Sequence, residues 1–404
     1  MTGPSGREWA AKRGMAAAAG RVVAGSRARG GGFDRAGEAI PARWAEVLAS
    51  GRTAQHSGRM GTHALGHGLE DLATEARAAL VREIEASGAF DDDPVWRDAF
   101  ASVPRHLFVP SYFIGVVGGY ERLWGEEKDP RRRERWLRGA YADAPLATRV
   151  RDGELISSSS QPSLMAKMLT ELEVEDGHRV LEIGAGTGYN AALLAHRLGD
   201  DLVTTVDLDP DLTEGARRHL EAAGYHPAVV TGDGARGVPE RAPYDRIIAT
   251  CALSSIPRAW LAQCAPDARI LTPLATGLLR LRARDTEHAE GRFLHTPAYF
   301  VPLRGDGGAS ASAASASAER SGEPGGEAET ARPYLGGLPR RAREHELFRF
   351  LLTLTARTLD PQDALALWDR EDRPVRERYG VTVSGERAWA WLDDPEGPYA
   401  WPLP

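Results

Sequence analysis

His178-Arg179-Val180-Leu181-Glu182-Ile183-Gly184-Ala185-Gly186-Thr187-Gly188 reads as a strand running into a glycine turn. Val180, Leu181 and Ile183 form an apolar run short enough to be a buried strand. Tyr189-Asn190-Ala191-Ala192-Leu193-Leu194 then reads as a helix. Glycines let backbone approach a ligand closely and adopt dihedrals that a Cβ forbids, so strand, turn and helix together make a nucleotide-type cradle. Spacing narrows the reading. The dinucleotide fingerprint G-x-G-x-x-G needs glycine at 189, where this chain has Tyr189; here the pattern is G-x-G-x-G, preceded by the acid Glu182. An ordinary strand-to-helix turn of an α/β domain stays open until further features are added.

Three such features follow in order. Leu202-Val203-Thr204-Thr205-Val206 reads as a second strand ending at Asp207, with Leu208 beside it. Asp207 stands about twenty residues after the glycines, where an open α/β sheet places an acid to bind a ribose. Val229-Val230-Thr231 leads to Gly232-Asp233-Gly234, a carboxylate between glycines that suits an adenine amino group. Tyr244 to Thr250 reads as another strand. Singly, Asp207 or Asp233 reads as readily as a helix cap or turn residue. Together the set resembles S-adenosylmethionine-dependent methyltransferases, which have no pyrophosphate to seat. The expected fold class is α/β: a Rossmann-like methyltransferase sheet with a helical N-terminal segment and a small C-terminal α+β domain.

At 404 residues and 42% hydrophobic content the chain can bury a sizeable core. Its net charge of −7 gives no overall electrostatic case for nucleic-acid binding. Cys251 and Cys264 are its two cysteines, too few for a disulfide framework or a cysteine-built zinc site. The histidines lack metal-ligand spacing, so no metal is expected. No apolar stretch reaches the ~18 residues of a membrane helix. Ala16 to Ala19 follow Lys12-Arg13 in the manner of a signal peptide, but Arg21 interrupts them. A cytoplasmic protein with reduced thiols is expected.

Residues 1–60 hold ten Lys or Arg against four Asp or Glu, with little apolar periodicity. They read as a disordered basic arm, and Met60 is a candidate alternative start. Residues 61–155 read as a helical segment. Leu69, Leu72, Ala76, Leu80, Val81 and Ile84 recur at helical spacing, and Pro94 to Phe100 starts a second helix. Val103 to Pro110 reads as extended, because prolines restrict their neighbours. Arg131-Arg132-Arg133 reads as a solvated helix face, with grip on an acidic peptide as the alternative. The methyltransferase domain is expected over 156–304. It opens with a polar loop, Ile156-Ser157-Ser158-Ser159-Ser160-Gln161-Pro162-Ser163, before the helix Leu164 to Leu172. Residues 305–332, rich in Gly, Ala, Ser and Glu, read as a flexible linker. Residues 333–404 read as a small substrate-recognition domain, helical over Glu344 to Leu359 and then β, with clustered tryptophans.

The chain is similar, over roughly residues 90–304, to the protein-L-isoaspartate O-methyltransferase family. The likeness rests on Val103-Pro104-Arg105 through Phe108-Val109-Pro110, Tyr141-Ala142-Asp143, Ser160-Gln161-Pro162, Leu181 to Gly188, Asp207, Gly232-Asp233-Gly234, Ala242 to Asp245 and Val301-Pro302-Leu303. Ser-Gln-Pro ahead of the glycine motif is not a general methyltransferase feature. By this resemblance Ser160 is the active-site hydroxyl, and Ser158, Ser159 and Ser160 contact substrate. Glu182, Gly184, Gly186, Gly188, Asp207, Leu208, Asp233 and Gly234 hold S-adenosylmethionine. The chain departs from the family in its arm, enlarged 111–140 segment, linker and C-terminal part. The run Ser157 to Ser160 and the tail Trp391-Leu392-Asp393-Asp394-Pro395 resemble a branch associated with ribosomally made peptides. There the homologue works beside an ATP-grasp ligase or a lanthipeptide synthetase. That branch methylates an ordinary Asp in a constrained peptide, and the ester closes to an aspartimide.

The leading expectation is therefore a carboxyl O-methyltransferase of that peptide branch, with an ATP-grasp ligase encoded nearby. Repair of isoaspartate in damaged proteins is the alternative within the same chemistry. A peptide-binding homologue without catalysis is an alternative of another class. A nucleic-acid methyltransferase would carry an Asn or Asp-Pro-Pro-Tyr motif where this chain has Ala249-Thr250-Cys251-Ala252.

Overall fold

A computed structural model describes residues 67–90, 93–116, 119–151, 154–305 and 337–404. The arm expected at 1–60 and nearly all of the linker expected at 305–332 lie outside the described residues.

The N-terminal part carries the expected helices α1 (His67–Ala86) and α2 (Val95–Ser102). Two expectations fail there. Between the prolines at 104 and 110 the chain turns into a short helix, α3 (Arg105–Phe108), closed by Leu107 N donating to Pro104 O at 3.0 Å. The region is also not simply helical. It holds a four-stranded antiparallel sheet, in the order β2 (Gly119–Trp124), β1 (Ser111–Val116), β3 (Leu146–Arg151), β4 (Glu154–Ser159). Helix α4 (Pro130–Ala140), which carries the triple arginine, sits between β2 and β3 in sequence. The serine run is thus the last strand of a sheet and not a loop: Ser159 pairs with Leu146 and Ser158 with Ala147. Serines carry no apolar alternation, so the period of two that betrays a strand is invisible here.

Helix α5 (Pro162–Glu171) starts with proline in its first turn, where the missing N–H costs nothing. Then come β5 (Val180–Ile183), α6 (Tyr189–Leu198), β6 (Val203–Asp207), α7 (Pro210–Ala222), β7 (Ala228–Thr231) and β8 (Tyr244–Ala249). A short helix α8 (Arg258–Leu261) precedes β9 (Cys264–Leu274), β10 (Gly277–Ala283) and β11 (His288–Pro297). Strand β5 pairs in parallel with β6 on one side and β8 on the other. The chain leaves β5 in one direction and returns on the other, so the glycine turn sits at a topological switch point, where open α/β sheets bind ligands.

Beyond the linker come α9 (Arg340–Glu344), α10 (Glu346–Thr355), α11 (Pro361–Arg370), β12 (Tyr379–Ser384), β13 (Arg387–Leu392) and β14 (Ala400–Pro402). The separate C-terminal domain expected at 333–404 is not separate. Strand β12 pairs antiparallel with β11, from His288 with Ser384 to Arg292 with Gly380, completing a ten-stranded sheet. An unpaired β11 would leave a row of backbone donors and acceptors open. Its apolar face also needs cover: the Phe293 ring lies 4.8 Å from that of Phe350, which lies 5.4 Å from Tyr379. Trp368, Trp391 and Trp401 are buried, the last two on strands of this same sheet.

Candidate active site

The turn after β5 takes conformations that side chains resist. Gly184, Gly186 and Gly188 have φ of +100°, +51° and +86°. A Cβ on Gly184 would stand 2.8 Å from Thr250 Oγ1, and that hydroxyl donates to Gly184 O at 2.8 Å. A Cβ on Gly186 would stand in van der Waals contact with Ser157 Oγ and Ser158 O, 3.8 Å from each. The glycine turn and the serine strand therefore face one another as two walls of one cleft.

Arg105 builds the serine wall. Its guanidinium is fully buried. One nitrogen donates to Ala140 O at 3.0 Å and Ala142 O at 2.9 Å; the other donates to Ala144 O at 3.1 Å, Ser159 Oγ at 3.3 Å and Ser160 O at 3.1 Å. Burial lowers its pKa to about 10, still leaving it charged at neutral pH. Asp143 secures the next residues, accepting from Ser163 N at 2.8 Å and Gln161 Nε2 at 3.0 Å. Held this way, Ser160 lines the cleft while its hydroxyl makes no hydrogen bond to another described residue. Across the β3–β4 hairpin, Arg149 reaches Asp211 at 2.7 Å, tying the hairpin to the start of α7.

The expected residues divide on the structure. Ser158, Ser159, Ser160, Glu182, Gly184, Gly186, Asp207, Leu208 and Gly234 line the one cleft. Gly188 and Asp233 are not among its lining residues. Gly188 instead caps α6 and packs under α7, where an added Cβ would meet Ala216 and Leu220 at 3.3 Å. Asp233 caps its own turn, accepting from Ala235 N at 2.9 Å. Sequence reading did not assign Tyr189, Asn190, Leu212, Thr250 or Arg304, which also line the cleft. Arg304 follows directly on the quoted Val301-Pro302-Leu303, and that adjacency was its one signal.

Asp207 ends β6, nearly buried, and accepts from Gly186 N at 3.1 Å and Asp209 N at 3.3 Å. Arg304 Nη2 lies 3.7 Å from Oδ1, the oxygen that accepts from Asp209 N. Glu182 is buried beneath the turn and accepts from Asn190 Nδ2 at 2.8 Å and Thr205 Oγ1 at 2.6 Å. Burial pushes its carboxyl up to about 7 against the pull of those two donors. A folded value above the unfolded 4.5 means the native state keeps a proton that the unfolded chain has released. Stability from this group is therefore lost as pH rises from 4.5 to about 7. Between pH 5 and 8, wild type is expected to lose about 2–3 kcal/mol more than Glu182→Gln in urea unfolding. Parallel curves for the two proteins would refute this account of Glu182.

The residues fit S-adenosylmethionine. Its cationic donor group meets a cleft with Asp207 on its wall, while Glu182, which holds its proton up to about pH 7, lies beneath the turn. Asn190 Oδ1, buried at the cleft wall, has no protein partner and is an acceptor in waiting. Positive-φ glycines open the space that a Cβ would restrict. Cys251 lies on the same wall, and burial raises its thiol far above the usual range, so it stays protonated and is no rival nucleophile. Among the described residues, no helix is long and apolar enough to cross a membrane.

The family model of protein-L-isoaspartate(D-aspartate) O-methyltransferase matches residues 131–306. A protein-L-isoaspartate O-methyltransferase of Hyperthermus butylicus is 35% identical over 254 residues, covering 59% of this chain and 92% of that protein. One from Methylorubrum extorquens is 38% identical over 233 residues, covering 57% of this chain and 88% of the relative. A solved protein-L-isoaspartate O-methyltransferase shares the fold with a TM-score of 0.52 at 22% identity, covering 81% of this chain and 98% of its own. The glycine turn, Asp207 and the Arg105-held Ser160 thus stand in a chain that belongs to the protein-L-isoaspartate(D-aspartate) O-methyltransferase family, enzymes that methylate carboxyl oxygens from S-adenosylmethionine.

Proposed function

We propose that this protein methylates the free carboxylate of an aspartyl-derived residue in a peptide or protein, with an L-isoaspartyl residue as the first acceptor to test. One observation carries the reading. The Ser160 hydroxyl, unengaged among the described residues, stands on a wall that faces the glycine turn, with its backbone held by Arg105.

Bound S-adenosylmethionine supplies a methyl group that is already electrophilic. A carboxylate is ionised at neutral pH and already nucleophilic, so no residue has to remove a proton. Glu182 is committed to Asn190 and Thr205 and is not needed as a base. The task of the chain is alignment and exclusion of water, and alignment alone can contribute about 7–11 kcal/mol. Ser160 donates to the carboxylate oxygen that does not attack, fixing its plane while sparing the reactive oxygen. Once the ester exists, the following backbone nitrogen attacks its carbonyl. The amide proton and the methoxy group leave together as methanol, and a succinimide remains.

A second reading is favoured by the four consecutive serines at 157–160. The acceptor is then an ordinary Asp in a ribosomally made peptide cyclised by an ATP-grasp ligase or lanthipeptide synthetase, and the aspartimide is the product. The C-terminal part, whose strands complete the central sheet, does not separate the readings.

Labelled S-adenosylmethionine offered with a linear L-isoaspartyl peptide, and separately with a cyclised Asp-containing precursor, decides. Turnover on the linear peptide is the expected result. Turnover restricted to the precursor, with a final mass lower by one water, replaces it with the second reading. Donor binding without methylation of either peptide leaves a peptide-binding homologue.

A further inference from the structure

Among the described residues Arg304 is the one basic side chain that lines the cleft. The backbone ahead of it is pinned across the carboxyl ends of the parallel strands. Ala252 N donates to Val301 O and Leu303 N donates to Ala252 O, each at 2.9 Å. Among the described residues no hydrogen bond holds the Arg304 side chain. It is one-third exposed at 34%, and its pair with Asp207 is 3.7 Å long, beyond hydrogen-bond reach. Asp207, by contrast, is fixed by two backbone N–H groups. A loose cation is thus parked on a fixed carboxylate at the strand end, where an α/β sheet offers an acid to a ribose.

We propose that Arg304 binds the acceptor's carboxylate, and that its pairing with Asp207 makes this wait for the donor. The proposal rests on the carboxyl-acceptor reading above. The ribose hydroxyls compete with Arg304 for Asp207 and displace it, at small cost because the pair is long and its cation is one-third exposed. The freed guanidinium then faces a cleft that has no other basic side chain among the described residues and has Asp207 on its wall. An anionic acceptor entering such a cleft needs a counter-charge, and a planar guanidinium matches a carboxylate with two parallel hydrogen bonds. Linkage makes the effect reciprocal: donor and acceptor each tighten the other's binding.

The test uses the full chain, S-adenosylhomocysteine as donor-site probe, and a fluorescent L-isoaspartyl peptide. Calorimetry measures the first and anisotropy the second. Wild type is expected to bind the peptide about two- to fivefold tighter when the donor site is filled, the most that displacing so weak a pair allows. Arg304→Met should bind S-adenosylhomocysteine at least as tightly as wild type, since the competitor at Asp207 is gone. It should bind the peptide weakly and equally with the donor site empty or filled. Arg304→Lys should recover part of the peptide affinity. Weaker S-adenosylhomocysteine binding by Arg304→Met overturns the proposal, as that would make Arg304 a donor contact. Unchanged peptide affinity in Arg304→Met overturns it too, while leaving the carboxyl-acceptor reading intact. A wild type that binds the peptide in neither state overturns the proposal and the L-isoaspartyl reading with it.

Discussion

Arg105→Met is expected to lose about 3–5 kcal/mol of folding stability. The loss comes from what the guanidinium leaves behind. Five hydrogen bonds at about 1 kcal/mol each set the scale, and desolvation of the buried cation offsets part of that gain. The lowered pKa of Arg105 reports that penalty. The offset vanishes with the charge, but the carbonyls of Ala140, Ala144 and Ser160 then lose their donor in the interior. A methionine fills the volume and satisfies none of them. Ser159 and Ser160 also lose their common anchor, so methyl transfer should fall further than the folded fraction alone predicts. Urea unfolding and activity at low temperature, where the variant is still folded by circular dichroism, measure the two effects separately. An unchanged urea midpoint would show that Arg105 is not the hub its hydrogen bonds describe.

Gly184→Ala should reduce donor affinity by at least about tenfold while the protein still folds. At φ +100° a side chain is strained by about 1–3 kcal/mol. The new Cβ also meets Thr250 Oγ1 at 2.8 Å, and the hydroxyl is held there by Gly184 O itself. Relief requires the turn to move, and the turn carries Gly186 N, which donates to Asp207. Calorimetric titration with S-adenosylhomocysteine reads the loss. Gly199→Ala is the control: it also has positive φ, at +91°, but its Cβ would meet nothing within 4 Å. It should cost stability without touching donor affinity. Equal donor affinities in wild type and Gly184→Ala would mean that the turn has slack that the close contacts deny.

The residues alone determined the centre of this protein. Val180 to Ile183 can be buried as a strand only if something continues it, and Gly184 and Gly186 accept backbone angles that few other residues tolerate. Asp207 follows at the distance that one helix and one strand impose. These features are local, so they could be read from the chain. The serine wall could not. Ser157 to Ser159 lack apolar contrast, and they become a strand because β3 lies beside them and Arg105, over fifty residues earlier, donates to Ser159 Oγ. The C-terminal strands were legible as strands but not as part of the central sheet, because register between Arg292 and Gly380 is set by sheet pairing across an intervening linker and three helices. Asp233 and Gly188 matched a pattern, yet their surroundings gave them capping and packing tasks. Arg304 came to Asp207 only through the fold. Sequence carries the preferences of a residue for its own backbone and nearest neighbours; which distant donor meets which acceptor is decided when the elements pack.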